Sequence, residues 1–309
     1  MAVAIDTEKV LRDLRDLWTG LGREQEQAGG VIRACAMTLI AVVESAEDAE
    51  AVRKLLGAVM HDHPSRALIL RMSRGVGPGA EPGARVFAEC WKQPGAPSRI
   101  CAEGIELIAD AADIAAAAHM ILPLLVPDLP VVLWYYRRFE RHDALLRLAS
   151  KVIVDSKYVE DPQAAIESVR ALRSPDRHVA DLSWTRLTAW REGVASAFAC
   201  MKPNAGPTAV RIEFGGPLSS SVLYLKRWIE RALPTARVTT EGASAEPGIQ
   251  PGLKAVTLGE VSLRLACAGA LEVRAGDCSA RSALPAATDE ALLREELSIL
   301  GDDPVFEAL

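Results

Sequence analysis

Short apolar runs rich in β-branched residues alternate with segments of helical period, and that alternation limits the chain to layered α/β folds. Val10, Leu11, Leu14, Leu17, Trp18 and Leu21 recur at helical spacing, with Thr7 as the expected N-cap. Residues 31–43 form a strand-like run. Ser45 and Asp48 then make a capping box ahead of Val52, Leu55, Leu56 and Val59. His63-Pro64 ends that helix, because the residue before proline is pushed out of the α region. Strands are predicted over 67–72, 85–91 and 99–108, the last two around a Pro/Gly turn. An alanine-rich buried helix is expected over 111–126. Interior strands follow at 131–135 and 152–154, with a short helix over 143–149 between them.

The second half repeats the theme. Pro162 opens a helix carrying Ile166, Val169 and Leu172, and 174–177 is a break. Thr188 caps a helix with Trp190, Val194 and Phe198. Pro207 precedes a strand at 209–214, and Pro217 opens a helix with Val222, Leu225, Ile229 and Leu233. Short strands are predicted near 235–240, 253–258, 261–267 and 270–275, with antiparallel pairing late in this half. Residues 241–252 read as a mobile loop, and Thr288 caps a last helix reaching 300. The expected fold is α/β: two α/β layered domains with mixed sheets, over 1–160 and 161–309.

Composition narrows the function classes. Half of the 309 residues are hydrophobic, a quarter are charged, and the net charge is −6. A packed, mildly acidic protein is expected, and nucleic acid is not its partner. The most apolar stretch, 119–136, is interrupted by Pro123, Pro127, Asp128 and Pro130, so no membrane span is expected. The first residues show no basic segment leading into an apolar one. A secretory signal is therefore not expected, and the location expected is cytoplasmic. In that compartment the six cysteines read as free thiols. Cys90 and Cys101 could face each other across the hairpin as a redox pair; two free core thiols is the favoured reading.

Motifs for catalysis are scarce. The glycines at 75, 77 and 79 follow a strand, as a dinucleotide loop must, but Pro78 and Pro82 prevent the helix that would hold a pyrophosphate. There is neither a P-loop nor a nucleophile elbow. His61 and His63 lack a third ligand, so no metal is expected. His119 and His142 stand alone on predicted helices and read as satisfied or exposed. No cofactor and no catalytic residue is assigned.

Recognition chemistry is better represented. His63, Ser65 and Arg66 open a strand, where the guanidinium of Arg66 could grip a carboxylate or phosphate, or close a local ion pair. Asp155 and Ser156 end an apolar strand, the edge where α/β sheets place their sites, although both residues also suit a turn or cap. With Arg66 they could form a sugar-phosphate site, the alternative reading being a phosphosugar sensor or enzyme. The stretch DLSWTRLTAWR (181–191) packs two tryptophans and two arginines into eleven residues of a chain that is 5% aromatic. Trp184, Arg186, Trp190 and Arg191 suit a partner surface or a buried domain junction, with Trp190 the better anchor and the other three the better contacts.

Five strings in order, HPSRALIL (63–70), ICAEGIEL (100–107), LLVPDLPVVLW (124–134), VIVDS (152–156) and DLSWTRLTAWR (181–191), closely resemble the glucose-6-phosphate dehydrogenase assembly protein OpcA family. The likeness runs from about 30 to 235. It departs at Tyr135-Tyr136, where the family often has another tryptophan, and it is loose beyond about 240. The resemblance implies a bacterial, non-catalytic assembly factor or allosteric activator whose partner is glucose-6-phosphate dehydrogenase of the oxidative pentose phosphate pathway. No catalytic residues carry over. The motif positions Asp128 and Trp134 join Arg66, Asp155 and Ser156 as a second expected contact cluster at a sheet edge.

Overall fold

The computed structural model describes residues 6–26, 29–73, 83–199, 207–242, 251–267, 269–276 and 278–309. The expected glycine-rich loop over 75–82, most of the expected loop at 241–252, and Cys200 lie outside the described residues. The chain divides into two compact units. One comprises 1–155 with 172–179 and 293–301; the other comprises 156–171, 180–292 and 302–309.

The first unit begins with α1 (Thr7–Gln25), whose N-cap is Asp6, one residue before the expected Thr7; its carboxylate accepts from Lys9 N. The run 31–43 splits into β1 (Val31–Arg33) and β2 (Met37–Val43) because the two pair with different strands. α2 (Ala46–Val59) is capped by Ser45 as the sequence dictates and buries Val52, Leu56 and Val59. β3 (Ser65–Ser73), β4 (Ala84–Trp91) and β5 (Arg99–Asp110) follow. The expected helix over 111–126 is shorter, α3 (Ile114–Ile121). Asp113 caps its start, and Pro123 turns the chain into a 3-10 turn. β6 (Val131–Tyr135), α4 (Asp143–Leu146) and β7 (Lys151–Val154) complete the run. α5 (Pro162–Arg170) belongs to the second unit, and β8 (His178–Asp181) is a strand that lacks a sequence signal.

The eight-stranded sheet has the order β1-β5-β3-β2-β6-β7-β8, with β4 also on β5. β1 is parallel to β5, the neighbours β5, β3, β2, β6 and β7 are parallel to one another, and β4 is antiparallel to β5 in a hairpin. From β2 the chain moves outward through β3 to β5, then returns to β6 beside β2 and moves the other way. This is the doubly wound order, and its switch point lies between β2 and β6. All residues of β2 and β6 are buried, which explains their unbroken apolar sequence. Gly104 on β5 has a steric reason: a Cβ there would come within 2.1 Å of the Phe87 ring on β4.

In the second unit, α6 (Leu182–Thr185) and α7 (Thr188–Ala199) precede β9 (Ala209–Gly215) and α8 (Ser220–Ala232). β10 (Arg237–Gly242), β11 (Gly252–Leu258), β12 (Val261–Cys267), β13 (Ala270–Ala275) and β14 (Cys278–Ala283) follow, then α9 (Asp289–Leu297) and α10 (Pro304–Glu307). The six-stranded sheet runs β10-β9-β11-β12-β13-β14, parallel between β9 and β10 and antiparallel elsewhere. α7 packs on β12 and β13, and α8 on β9 and β10. The fold is α/β, with a mixed sheet in each unit. Among the described residues no helix is long and apolar enough to cross a membrane.

Candidate functional site

At the carboxyl edge of the first sheet, β2 leads straight into Glu44 and Ser45. The Ser45 hydroxyl accepts from Asp48 N at 2.9 Å and donates to the Asp48 carboxylate at 2.8 Å. Beside it, β6 ends where Tyr136 N donates to Val42 O at 3.1 Å. Arg137 then takes φ 64°, and Arg138 N donates back to Tyr136 O at 2.8 Å, a three-residue γ-turn of the strained hand. The two arginines spread apart, Arg137 to Asp48 at 3.1 Å and Arg138 to Glu44 at 3.3 Å. Beside the Arg138–Glu44 pair lies a cavity of about 230 Å³ lined by Val42, Met72, Ala111, Tyr135 and His142, with Glu44, Arg138 and Glu140 as its charged residues.

Two polar atoms buried here are incompletely satisfied. The Tyr135 hydroxyl, on a side chain 1% exposed, has no acceptor for its proton, and His142 Nδ1 makes no hydrogen bond. Burial pushes the Tyr135 phenol far above its ordinary value, more than the His142 backbone amide lowers it, so the O–H stays protonated. Burial also pushes the His142 imidazole down, against the upward pull of Glu140 and Glu44. The two rings stack with centroids 5.9 Å apart.

The amino edge of the same sheet is closed. Buried Glu103 accepts from Trp18 Nε1 and from Arg33, each at 2.6 Å, and from Arg66 Nε. The remaining Arg66 contact is a donation to Leu124 O at 2.8 Å, and the Arg33 guanidinium lies 5.3 Å from the Trp18 ring. Burial raises the Glu103 carboxyl, but the Trp18 indole, Arg66 and Arg33 together outweigh it, and the net shift is downward. Arg66 therefore closes an ion pair, one of its two sequence readings. Close by, Cys90 and Cys101 stand opposite each other in the hairpin register, 4.1 Å between Cα atoms, and are joined as a disulfide. The favoured reading of two free thiols is corrected: the hairpin register brings them together.

In the second unit Asp181 is fully buried. Its Oδ1 accepts from Ser156 N at 3.0 Å and Ser183 N at 2.9 Å, and its Oδ2 from Tyr224 at 2.9 Å. Trp184 donates to Asp303 at 2.7 Å and stacks with Phe306 at 5.9 Å, and the Arg191 guanidinium sits 3.9 Å from its ring centroid. Trp184 and Trp190 are 2% and 5% exposed, so Trp184 is a core anchor and not the contact residue expected. Arg186 and Arg191 are half-buried.

The expected second cluster does not assemble either. Register places Thr38 beside Arg66 and Val131, and Lys151 beside Val132, so Arg66 is level with Ser150. Asp155 lies five residues further, about 16 Å along the strands and about 14 Å across them. Arg66 and exposed Asp128 belong to the amino edge; buried Trp134 and Asp155 lie toward the carboxyl edge. The sugar-phosphate site of Arg66, Asp155 and Ser156 is thus not formed. Ser65 is buried, His63 Nε2 lies 3.5 Å from Ser298 Oγ, and His61 stacks on Trp91, so neither histidine is posed with the other. Exposed His119 is satisfied by Ala115 O, as expected, whereas His142 precedes α4 and lines the cavity. The charged run after β6 was the available signal for the crevice.

These features define a two-unit α/β protein whose doubly wound sheet has no glycine-rich phosphate turn at its switch point. Residues 57–171 match the family model described as the glucose-6-phosphate dehydrogenase subunit N-terminal domain, and 177–309 the model of the C-terminal domain. The chain belongs to the OpcA family. It is 34% identical over 105 residues to the OxPP cycle protein OpcA of Synechococcus elongatus, covering 33% of this chain and 24% of that one. It is 26% identical over 193 residues to the protein of the same description from Nostoc punctiforme, covering 60% and 41%. The match thus spans well under half the length of these relatives. A solved oxidoreductase from Sinorhizobium meliloti aligns at TM-score 0.49 and 12% identity, over 87% of this chain and 91% of that one.

Proposed function

We propose that the chain is a non-catalytic assembly factor and allosteric activator of glucose-6-phosphate dehydrogenase in the oxidative pentose phosphate pathway. The partner rests on the descriptions of the two matched family models. The observation that carries the non-catalytic part is the turn at 44–48. In a sheet of this order a dinucleotide would rest its pyrophosphate there, on free backbone amides at a helix N-terminus. Here Ser45 caps the Asp48 amide, and Glu44, Glu47 and Asp48 would repel a phosphate.

An activator of this kind works by binding the active state of its partner better than the inactive one. About 1.4 kcal/mol of differential affinity gives a tenfold shift. Half-buried Arg186 and Arg191 remain contact candidates, as do His63 and Asp128. The test is the dehydrogenase assayed with and without this chain, with its oligomeric mass followed by light scattering. A change in rate, substrate affinity or mass is expected. If all three stay constant at saturating chain, the proposal is overturned.

A further inference from the structure

We propose that β14 docks a second copy of this chain, the two β14 strands pairing antiparallel across a two-fold axis so that the sheets of the two copies become continuous. The seam is read from the second unit alone and does not depend on the dehydrogenase reading. β14 closes one end of the six-stranded sheet, and among the described residues β13 is its one ladder partner. Ser279, Ala280, Arg281, Ser282 and Ala283 are all exposed. Edge strands are usually guarded by a proline, a bulge, an outward lysine or a covering helix. β14 contains no proline, its register with β13 is unbroken, and its one charged side chain, Arg281, reaches Glu272 on β13 at 3.6 Å.

The hydrogen-bond parity says which backbone groups are open. Leu284 N donates to Gly269 O at 2.8 Å, and these two residues stand opposite each other, one step beyond the Ala270–Ala283 pair. Opposite residues of an antiparallel pair alternate between bonded and non-bonded. Ser282 and Ala280 therefore bond β13, and Ala283, Arg281 and Ser279 turn their N–H and C=O groups to the outer edge. A second β14 offers the same groups in reverse order. Centred on Arg281, the pairing would set two arginines directly opposite, which is unfavourable. Centred on Ala280, Ser279 of each copy meets Arg281 of the other, and each such bonded pair exchanges two hydrogen bonds. Alanine and serine bring no bulk to the seam. A copy of the chain thus matches this edge in length and parity and sets no like charges opposite, which singles it out from an unrelated strand. One strand pair buries less than the roughly 1,200 Å² of stable complexes, so the dimer is weak and reversible, with a dissociation constant on the order of 10–100 µM.

The experiment is sedimentation velocity of the full chain from about 5 to about 500 µM, with amide hydrogen exchange followed at both ends of that range. The average mass should rise toward twice that of the chain. The Ser279 and Arg281 amides should exchange at least about threefold more slowly at the high concentration, whereas Ala280 and Ser282 are protected at both. Arg281→Pro removes an outward N–H and no bond to β13, so it should weaken the dimer at least about tenfold. Arg281→Ala keeps that N–H and should change the affinity less than about threefold. Should Arg281→Pro fail to fold, the exchange measurement on the unchanged chain still decides. A constant mass, equal exchange of the Ser279 and Arg281 amides at both concentrations, or a dimer as tight in Arg281→Pro as in Arg281→Ala would overturn the proposal.

Discussion

The two edges of the first sheet carry similar residues to opposite ends. At the amino edge, one carboxylate and two arginines meet with an indole, Glu103 and Arg66 are buried, and Glu103 accepts on both oxygens. At the carboxyl edge, arginines and carboxylates pair on the surface, while a phenol and an imidazole below them are left incomplete. Saturated buried charge fixes a structure; exposed pairs above incompletely satisfied neutral groups commit an edge less firmly. The same contrast separates the two sequence signals. Arg66, which looked like a ligand group, is structural, and His142, which looked idle, lines the cavity.

The largest effect that would sharpen this contrast is at Glu103. Glu103→Ala leaves Arg66 buried without its partner, and about 3–5 kcal/mol of unfolding free energy should be lost in urea titrations. A loss under about 1 kcal/mol would mean that the amino edge is no more committed than the other. Next comes the disulfide, which closes a loop of sequence separation 11 on the same edge. Cys90→Ser should cost up to about 3 kcal/mol relative to the oxidised protein, and nothing relative to the reduced one. Equal stability of wild type with and without reductant would show that the hairpin holds itself.

A pH series follows from Glu103. Its carboxyl lies below its ordinary value when folded, so its contribution is full above the unfolded carboxyl range and is lost as pH falls through the folded value. Stability of the wild type should therefore fall on acidification below about pH 4.3, and more steeply than that of Glu103→Gln. Parallel curves would contradict the assigned hub.

What the sequence makes legible divides along range. The Ser45 cap, the hairpin of β4 and β5, and the interior strands β6 and β7 depend on neighbours within a few residues, and all were readable. β14 (CSARSA) has no large apolar residue and β8 has four residues, so neither shows a period. Glu103 meets Trp18 across 85 positions, and Trp184 meets Asp303 across 119, separations that no local pattern encodes. For the same reason Arg66 could be read as an ion-pair former while its partner stayed hidden. The cavity is less legible still, because Glu44 and Arg138 meet only once β2 and β6 pair.

The smallest effects belong to the carboxyl edge, and they test the contrast most finely. Arg138→Ala removes an exposed pair, so its cost should be within about 1 kcal/mol. Tyr135→Phe goes further, because it deletes a buried hydroxyl that gives its proton to nothing and is met by the His142 backbone amide. Removing a buried, incompletely satisfied group of this kind should leave stability unchanged or raise it by up to about 1 kcal/mol, read as a shift in urea midpoint at constant slope. The opposite sign, a clear loss, would mean that the hydroxyl is satisfied in solution by the protein itself. The carboxyl edge would then be as closed as the amino edge, and the difference between them would be one of exposure alone.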